Sequence, residues 1–281
     1  MFSPILPGRR GRLDRTTWHF TPISFREFNR VCGPALGDEV LWAYLFSGGS
    51  PLACSEIGER GRLPEWVPET LRDWILGECI AGGRNRSSLL GVIDVLLRHG
   101  GSPVGQTRIA RDAPLANNTL AVGYLDLLND LMCIGTQRAW DESRRRENSR
   151  RPAKSPFVNL LAATAWHPAR IRSVEDFHAL PETEQGNWIE WLVAQELTRR
   201  RAIAGEDMPH EIPYWQASGH EIDFVLPPRD YLEVKRGGAG SLDFAWFPKT
   251  HPKARLRVVC ASRFRTDAVE SVSLEDFMLE A

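Results

Sequence analysis

The sequence predicts a mixed α+β protein in which helices come first and strands come last. Apolar residues recur at helical spacing in the middle of the chain, and alternation typical of strands is concentrated in residues 212–260. The 281 residues are 42% hydrophobic and 25% charged, which is enough for two or three ordinary globular modules. This composition excludes disordered and collagen-like classes.

The first predicted module, residues 1–84, is rich in Pro, Gly and Trp and has one clear helix start. Ser24 stands three residues before Glu27, which is the spacing of a capping box, and the helix would open at Phe25. Much of the remaining pattern is irregular. The residues themselves therefore predict one helix in an otherwise largely irregular module.

A turn-rich linker at residues 82–88 leads to a second module, residues 85–170. Its first helix is predicted by apolar residues at helical spacing, and a short helix and a third helix follow. The third opens at residues 117–119, with Gly135 as its expected stop. Its predicted buried face consists of Ala121, Leu125, Leu128 and Met132. Three helices and then strand-like pieces around a basic loop follow the order of a winged helix.

The third module, residues 174–281, opens with a helix near residues 186–200 and turns to strands. Residues 241–249 are expected to form a helix between the last two strands. The predicted strands are Ile212–Gln216, Glu221–Leu226, Tyr231–Lys235 and Arg255–Cys260. This order predicts an α/β core.

The strands of residues 221–235 carry the most informative pattern. Alternation puts Asp223 on one strand face with Glu221, and Glu233 with Lys235 on a face of the next strand. The short turn between the two strands predicts a hairpin that brings these faces together. Glu190, on the preceding helix, shares a face with apolar residues and is expected to look inward.

Carboxylates beside one lysine suit metal-dependent hydrolysis of phosphodiesters. Hard oxygen ligands on rigid strands favour Mg²⁺ (or Mn²⁺), which lowers the pKa of bound water and neutralises charge on phosphate. We predict that Asp223 and Glu233 bind the metal, Glu190 completes the site and Lys235 assists the nucleophile. The alternative interpretation is a solvated strand face with cross-strand ion pairs and with Glu190 pointing to water.

The order Glu190, Glu221-Ile222-Asp223, Glu233-Val234-Lys235, then a helix and another strand, resembles the PD-(D/E)XK restriction-endonuclease-like core. The run Gly186–Leu197 together with these strands is similar to the C-terminal domain of unknown function in prokaryotic AAA-type ATPases. The resemblance implies a restriction-endonuclease-like α/β core with a nuclease site.

Short motifs extend this resemblance toward the N-terminus. In the family, a Gly-Arg pair precedes a Pro-Leu-Ser-Phe-x-Glu-Phe-like segment. Here Gly8-Arg9 or Gly11-Arg12 precedes residues 21–28, and Phe46–Pro51 resembles a Gly-Gly-x-Pro turn. The resemblance implies that residues 1–84 are the remnant of a helical ATPase lid, ahead of a winged helix and a nuclease-like domain.

The chain is not expected to bind ATP. No lysine follows a glycine, so the P-loop pattern G-x-x-x-x-G-K-[ST] is absent. The chain would then be a truncated or misassigned reading frame, a decayed copy, or a natural stand-alone protein. A separately encoded ATPase is a candidate partner.

DNA is the expected partner, and we expect the basic loop rather than the third helix to contact it. The formal net charge is -1, so any phosphate binding must be local. The third helix carries Asp126 and Asp130, which repel phosphates. The predicted phosphate contacts are Arg144, Arg145, Arg146, Arg150 and Arg151. The alternative for this loop is a mobile, solvated segment.

Five scattered cysteines, without CxxC or zinc spacing, favour a reducing cytoplasmic setting. The longest uncharged run, Ser155–Ala169, is shorter than the roughly 20 residues that a bilayer requires, so no membrane association is expected. Three hypotheses stand: a metal-dependent DNA endonuclease-like protein, a non-catalytic DNA-binding or regulatory module serving a separate ATPase, and a fragment without activity.

Overall fold

The computed structural model describes residues 21–217 and 219–280, which form a mixed α+β protein with 51% helix and 14% strand. The predicted fold class is therefore confirmed at this level. Gly8-Arg9 and Gly11-Arg12 lie outside the described residues. Within the described ranges, no helix combines the length and the apolar character needed to cross a bilayer.

The helices occupy most of the first two thirds of the chain. In chain order they are α1 (Phe25–Leu36), α2 (Val40–Ser47), α3 (Pro51–Arg60), α4 (Trp66–Ala81), α5 (Arg86–His99), α6 (Gln106–Asp112), α7 (Asn118–Asp130), α8 (Leu160–Trp166), α9 (Val174–His178), α10 (Glu182–Ile203), α11 (Phe247–Thr250) and α12 (Leu274–Leu279). The strands are β1 (Ala139–Asp141), β2 (Arg146–Asn148), β3 (Trp215–Ala217), β4 (His220–Ile222), β5 (Phe224–Leu226), β6 (Asp230–Val234), β7 (Arg255–Val259) and β8 (Val269–Val272).

α1 begins where the sequence predicts. The Ser24 hydroxyl accepts a hydrogen bond from the Glu27 amide at 3.2 Å, which satisfies one of the free donors of the first turn. The Glu27 carboxylate pairs with Arg30 at 2.7 Å. The serine half of the predicted capping box is therefore present.

The expectation that much of the first module is irregular is wrong, because α2, α3 and α4 follow α1. α2 is buried on nearly every side, so its sequence lacks the amphipathic period that identifies a surface helix. The turn after it uses Gly48 in the left-handed region, with φ of 61°. A Cβ on Gly48 would lie 2.4 Å from the Leu161 backbone nitrogen, so glycine is required there.

In the second module, α5, α6 and α7 precede an antiparallel hairpin of β1 and β2. Asn117 caps α7 by accepting a hydrogen bond from the Leu120 amide at 2.9 Å. The expected continuation of this helix to Met132 is wrong. The helix stops at Asp130, and Met132 adopts a positive φ of 54°, so Gly135 is not the stop.

The third module contains a sheet of order β5-β6-β7-β8. β5 and β6 are antiparallel, whereas β6, β7 and β8 are parallel. The single strand predicted over residues 221–226 is divided at Asp223, because β4 pairs with β3 while β5 pairs with β6. The helix predicted over residues 241–249 is split into a 3-10 turn at Ser241–Phe244 and α11. β8 was not predicted.

One hydrophobic core runs through all three predicted modules, and α10 lies within it. Trp188 and Trp191 of α10 are each 1% exposed, and they share one buried cluster with residues of α1, near the start of the chain, and of α12, near its end. A second cluster covers the other part of the sheet, including Trp215, Tyr231 and Phe247. The boundaries near residues 84 and 170 remain predictions.

Candidate active site

The β5–β6 register places Asp223 opposite Glu233. Phe224 pairs with Leu232, so the preceding and following residues face each other. The Asp223 amide donates to Glu233 Oε2 at 3.2 Å, and the Val234 amide donates to Asp223 Oδ2 at 2.9 Å. Both acidic residues are buried. The structure therefore brings together the two carboxylates that spacing predicted as neighbours.

Glu190 reaches the same cluster from α10. Its side chain is 15% exposed and points inward, as the apolar neighbours on its helix face predict. The turn after α5 closes over it, because a Cβ on Gly101 would lie 2.3 Å from Glu190 Oε2. The absence of a side chain at Gly101 gives this carboxylate its space.

Lys235 lies at the open side of the cluster. Its ammonium group is 2.5 Å from Glu233 Oε1, and the side chain is 48% exposed. Partial burial alone would lower the pKa of Lys235, but Glu233, together with Asp223 and Glu190, outweighs it and raises this pKa. Lys235 is therefore a charged donor that can reach a ligand in the adjoining cleft.

Lys154 is a member of the cluster that sequence analysis did not single out. It follows the β1–β2 hairpin and is 1% exposed, and its ammonium group contacts three carboxylates. The distances from Nζ are 2.6 Å to Glu221 Oε1, 3.0 Å to Asp223 Oδ1 and 3.3 Å to Glu190 Oε1. The predicted winged-helix segment thus supplies a cation to the nuclease-like segment.

The close spacing of charged groups shifts the pKa values of both acids and bases in the cluster. Burial, and next the Asp223 carboxylate, raise the pKa of Glu190 and of Glu233 above the usual range of a carboxylic acid. Burial would lower the pKa of Lys154, but Asp223, Glu190 and Glu221 together hold it well above its usual value. Lys154 is therefore a firmly protonated cation among acids that resist a further negative charge.

A cleft of about 480 Å³ opens beside these residues. Asp223, Glu233 and Lys235 line it together with aromatic side chains. The His220 and Trp246 rings are stacked, with their centroids 4.1 Å apart. The cleft thus combines an acidic patch, one accessible ammonium group and an aromatic stack.

The basic loop is exposed and joined to the cluster at one end. The side chains concerned are Arg144, Arg145, Arg146, Arg150 and Arg151, all of them exposed. Arg151 donates to the Gln216 backbone oxygen and to Gln216 Oε1, each at 2.9 Å. Gln216 donates in turn to Glu221 Oε2 at 3.0 Å. A hydrogen-bonded path therefore links the loop to a carboxylate that contacts Lys154.

The carboxylate oxygens of the cluster are the type of ligand that a hard cation such as Mg²⁺ binds. Among residues 21–217 and 219–280, no group of three or more His, Cys, Asp or Glu side chains is arranged to hold a metal ion. Three carboxylates instead surround the ammonium group of Lys154, which is itself a cation. This stand-in cation marks where positive charge is stabilised, and carboxylate oxygens are the ligands that Mg²⁺ prefers.

Sequence reasoning missed Lys154 because no local pattern reports its partners. It stands in an irregular stretch, 36 residues before Glu190 and 69 before Asp223. One signal was available. The chain has only four lysines, and Lys154 follows a loop, residues 144–151, whose basic residues are all arginines. Lysine presents a compact point charge, whereas arginine presents a broad fork.

The resemblance to a known family is a prediction from short sequence motifs alone. A scan against models of protein families and searches of curated proteins and of solved structures gave no match. The PD-(D/E)XK-like core and the winged helix are therefore proposals for this chain.

Proposed function

We propose that this protein is a metal-dependent, nuclease-like hydrolase of DNA phosphodiesters, with a helical ATPase-lid remnant, a winged helix and a PD-(D/E)XK-like core. One observation supports this above the others. Asp223, Glu233 and Lys235 line a single cleft and Glu190 reaches their cluster, and the spacing of these residues resembles a nuclease motif. The acidic lining requires added positive charge before a phosphate can approach.

In this proposal Asp223 and Glu233 hold Mg²⁺ or Mn²⁺, and Glu190 completes the acidic set. The bound metal would lower the pKa of a water and neutralise charge on the phosphate. Lys235, exposed at the cleft, donates a hydrogen bond to the attacking water or to a phosphate oxygen. The water oxygen would form the new bond to phosphorus as the bond from phosphorus to the sugar oxygen breaks. The proton that the water loses would pass to solvent, and the departing sugar oxygen would take up a proton from solvent to become a hydroxyl.

The loop of Arg144–Arg151 supplies phosphate contacts outside the cleft. Its guanidinium groups suit a sugar-phosphate backbone, and Arg151 ties the loop to β3 next to the acidic cluster. The described cysteines are free thiols, in keeping with a cytoplasmic location. A separately encoded ATPase is the proposed protein partner.

The test is cleavage of end-labelled single- and double-stranded DNA. Wild-type protein is incubated with Mg²⁺, with Mn²⁺ or with EDTA, and the products are separated on a denaturing gel. We expect cleavage with either metal and none with EDTA. Intact DNA in all reactions, with protein that is folded and loaded with metal, would contradict hydrolysis.

The second candidate is a non-catalytic DNA-binding or regulatory module that partners a separate ATPase. The ammonium group of Lys154 favours it, since a buried internal cation already neutralises part of the acidic cluster. In that case the cluster would hold two segments of the chain together. DNA binding without cleavage would support this candidate.

Both candidates predict that the basic loop binds DNA. Replacing Arg144, Arg145 and Arg146 with glutamine is expected to weaken DNA binding by roughly tenfold or more at moderate salt and to flatten its salt dependence, because fewer counterions are released. Fluorescence anisotropy over a salt series measures both effects. The matched control replaces the exposed Arg60, Arg62 and Arg86. Equal losses in the two triple variants would remove the loop from the interface.

A further inference from the structure

Lys154 is held in place by its backbone and enclosed on its sides. Its amide donates to the Gln137 oxygen at 2.9 Å, and the Gln137 amide donates to the Lys154 oxygen at 2.9 Å. The Lys154 ammonium group lies 5.6 Å from the centre of the Tyr214 ring. Because the side chain is 1% exposed and closely packed, it cannot reach solvent unless the segment around Lys154 shifts.

Most carboxylate oxygens of Asp223 and Glu233 already accept a hydrogen bond or contact an ammonium group. Asp223 Oδ1 accepts from Lys154 and Oδ2 accepts from the Val234 amide. Glu233 Oε1 contacts Lys235 and Oε2 accepts from the Asp223 amide. A cation held by Asp223 and Glu233, with Glu190 completing its ligands, would therefore meet the oxygens of Asp223 and Glu190 that Lys154 contacts.

We propose that Lys154 occupies the cation position of the metal-free site, and that a divalent metal binds by displacing its ammonium group from Asp223 and Glu190. The inference rests on the proposed function for the identity of the cation. It makes Lys154 a positioning residue that sets metal affinity. It also couples metal loading to the segment that joins the β1–β2 hairpin to α8.

The first test is Mn²⁺ binding by calorimetry to the wild type and to Lys154→Met, which keeps length and removes charge. We expect the variant to bind Mn²⁺ at least about tenfold more tightly, since no ammonium group competes for the oxygens. The matched control is Lys253→Met, whose lysine is exposed and lies in another segment. Equal or weaker binding by Lys154→Met would overturn the proposal.

The same variants give a second readout by thermal unfolding. In EDTA, Lys154→Met leaves its three carboxylates without this partner and should unfold at a lower temperature than wild type. Mn²⁺ at a hundred times its Kd should raise the Tm of the variant by roughly 5–10 °C. The double variant Lys154→Met/Asp223→Asn should lose most of this rise. A rise that persists would assign the metal to another site.

Hydrogen exchange in the wild type tests the inference even if Lys154→Met fails to fold. Withdrawal of the ammonium group should loosen the backbone pair, so the Gln137 and Lys154 amides should exchange faster with Mn²⁺ than with EDTA. Asp223→Asn should show no such change. Slower or unchanged exchange in metal-saturated wild type would contradict displacement.

The outcomes separate this inference from the proposed function. If Lys154→Met changes Mn²⁺ binding as described but the wild type does not cleave DNA, the proposed hydrolase activity is contradicted and the displacement of Lys154 by metal is supported. If the protein cleaves DNA with metal but Lys154→Met binds Mn²⁺ with unchanged affinity, the hydrolase proposal is supported and competition between Lys154 and the metal is contradicted.

Discussion

Replacing Asp223 with asparagine is expected to lower metal-dependent DNA cleavage by roughly 10³-fold or more, because loss of one anionic ligand removes several kcal/mol of transition-state stabilisation. Asparagine has nearly the same shape and keeps one oxygen to accept from the Val234 amide or from Lys154. Lys154 keeps its contacts with Glu190 and Glu221, so we expect a folded protein of lower stability. Single-turnover cleavage rates measure the loss, and circular dichroism checks the fold.

The matched control is Asp230→Asn on the same hairpin. Asp230 begins β6 and is exposed, so the change removes the same charge without touching the cluster. Its cleavage rate should stay within about twofold of the wild type, since the replaced group contacts no proposed reacting atom. A similar loss in both variants would mean that the effect comes from overall charge rather than from the site.

The second large effect concerns stability. Glu196→Gln is expected to lower the free energy of unfolding by about 3–5 kcal/mol, because it strands a buried cation. Glu196 is 1% exposed, and its two oxygens accept from Arg199 Nε and Nη2, each at 2.8 Å. Glutamine would present an amide donor to one guanidinium donor. Urea unfolding of both proteins measures the difference.

The chain offers a surface pair of the same spacing as the control. Glu27 and Arg30 also stand three residues apart on a helix, with 2.7 Å between the charged atoms, but their side chains are 56% and 71% exposed. Glu27→Gln should change the free energy of unfolding by less than about 1 kcal/mol. A loss below about 1 kcal/mol for Glu196→Gln would show that burial does not strengthen this pair.

Features set by short-range pattern were predictable from the sequence. Ser24 and Asn117 predict the starts of α1 and α7, because a helix cap requires only a polar side chain just before apolar residues at helical spacing. The hairpin that joins Asp223 to Glu233 follows from alternation and a short turn. Three of the four proposed catalytic residues line one cleft for this reason.

Features set by distant contacts were not predictable. α2 is surrounded by protein and therefore has no apolar stripe to detect. The break at Asp223 arises because β4 and β5 pair with different partners, which alternation within one segment cannot report. Lys154 meets its carboxylates only after the second and third predicted modules pack together.

The most direct test of the central claim, that this acidic cluster hydrolyses DNA, is a single-turnover cleavage assay on wild type and Lys235→Met purified in parallel. Lys235 is half-exposed at the cleft, so its loss should leave the fold intact and remove a donor to water or phosphate. We expect cleavage by the wild type with Mn²⁺, none with EDTA, and a loss of roughly 10²-fold or more in the variant. Equal cleavage by both proteins, or none by metal-loaded wild type, would contradict this claim.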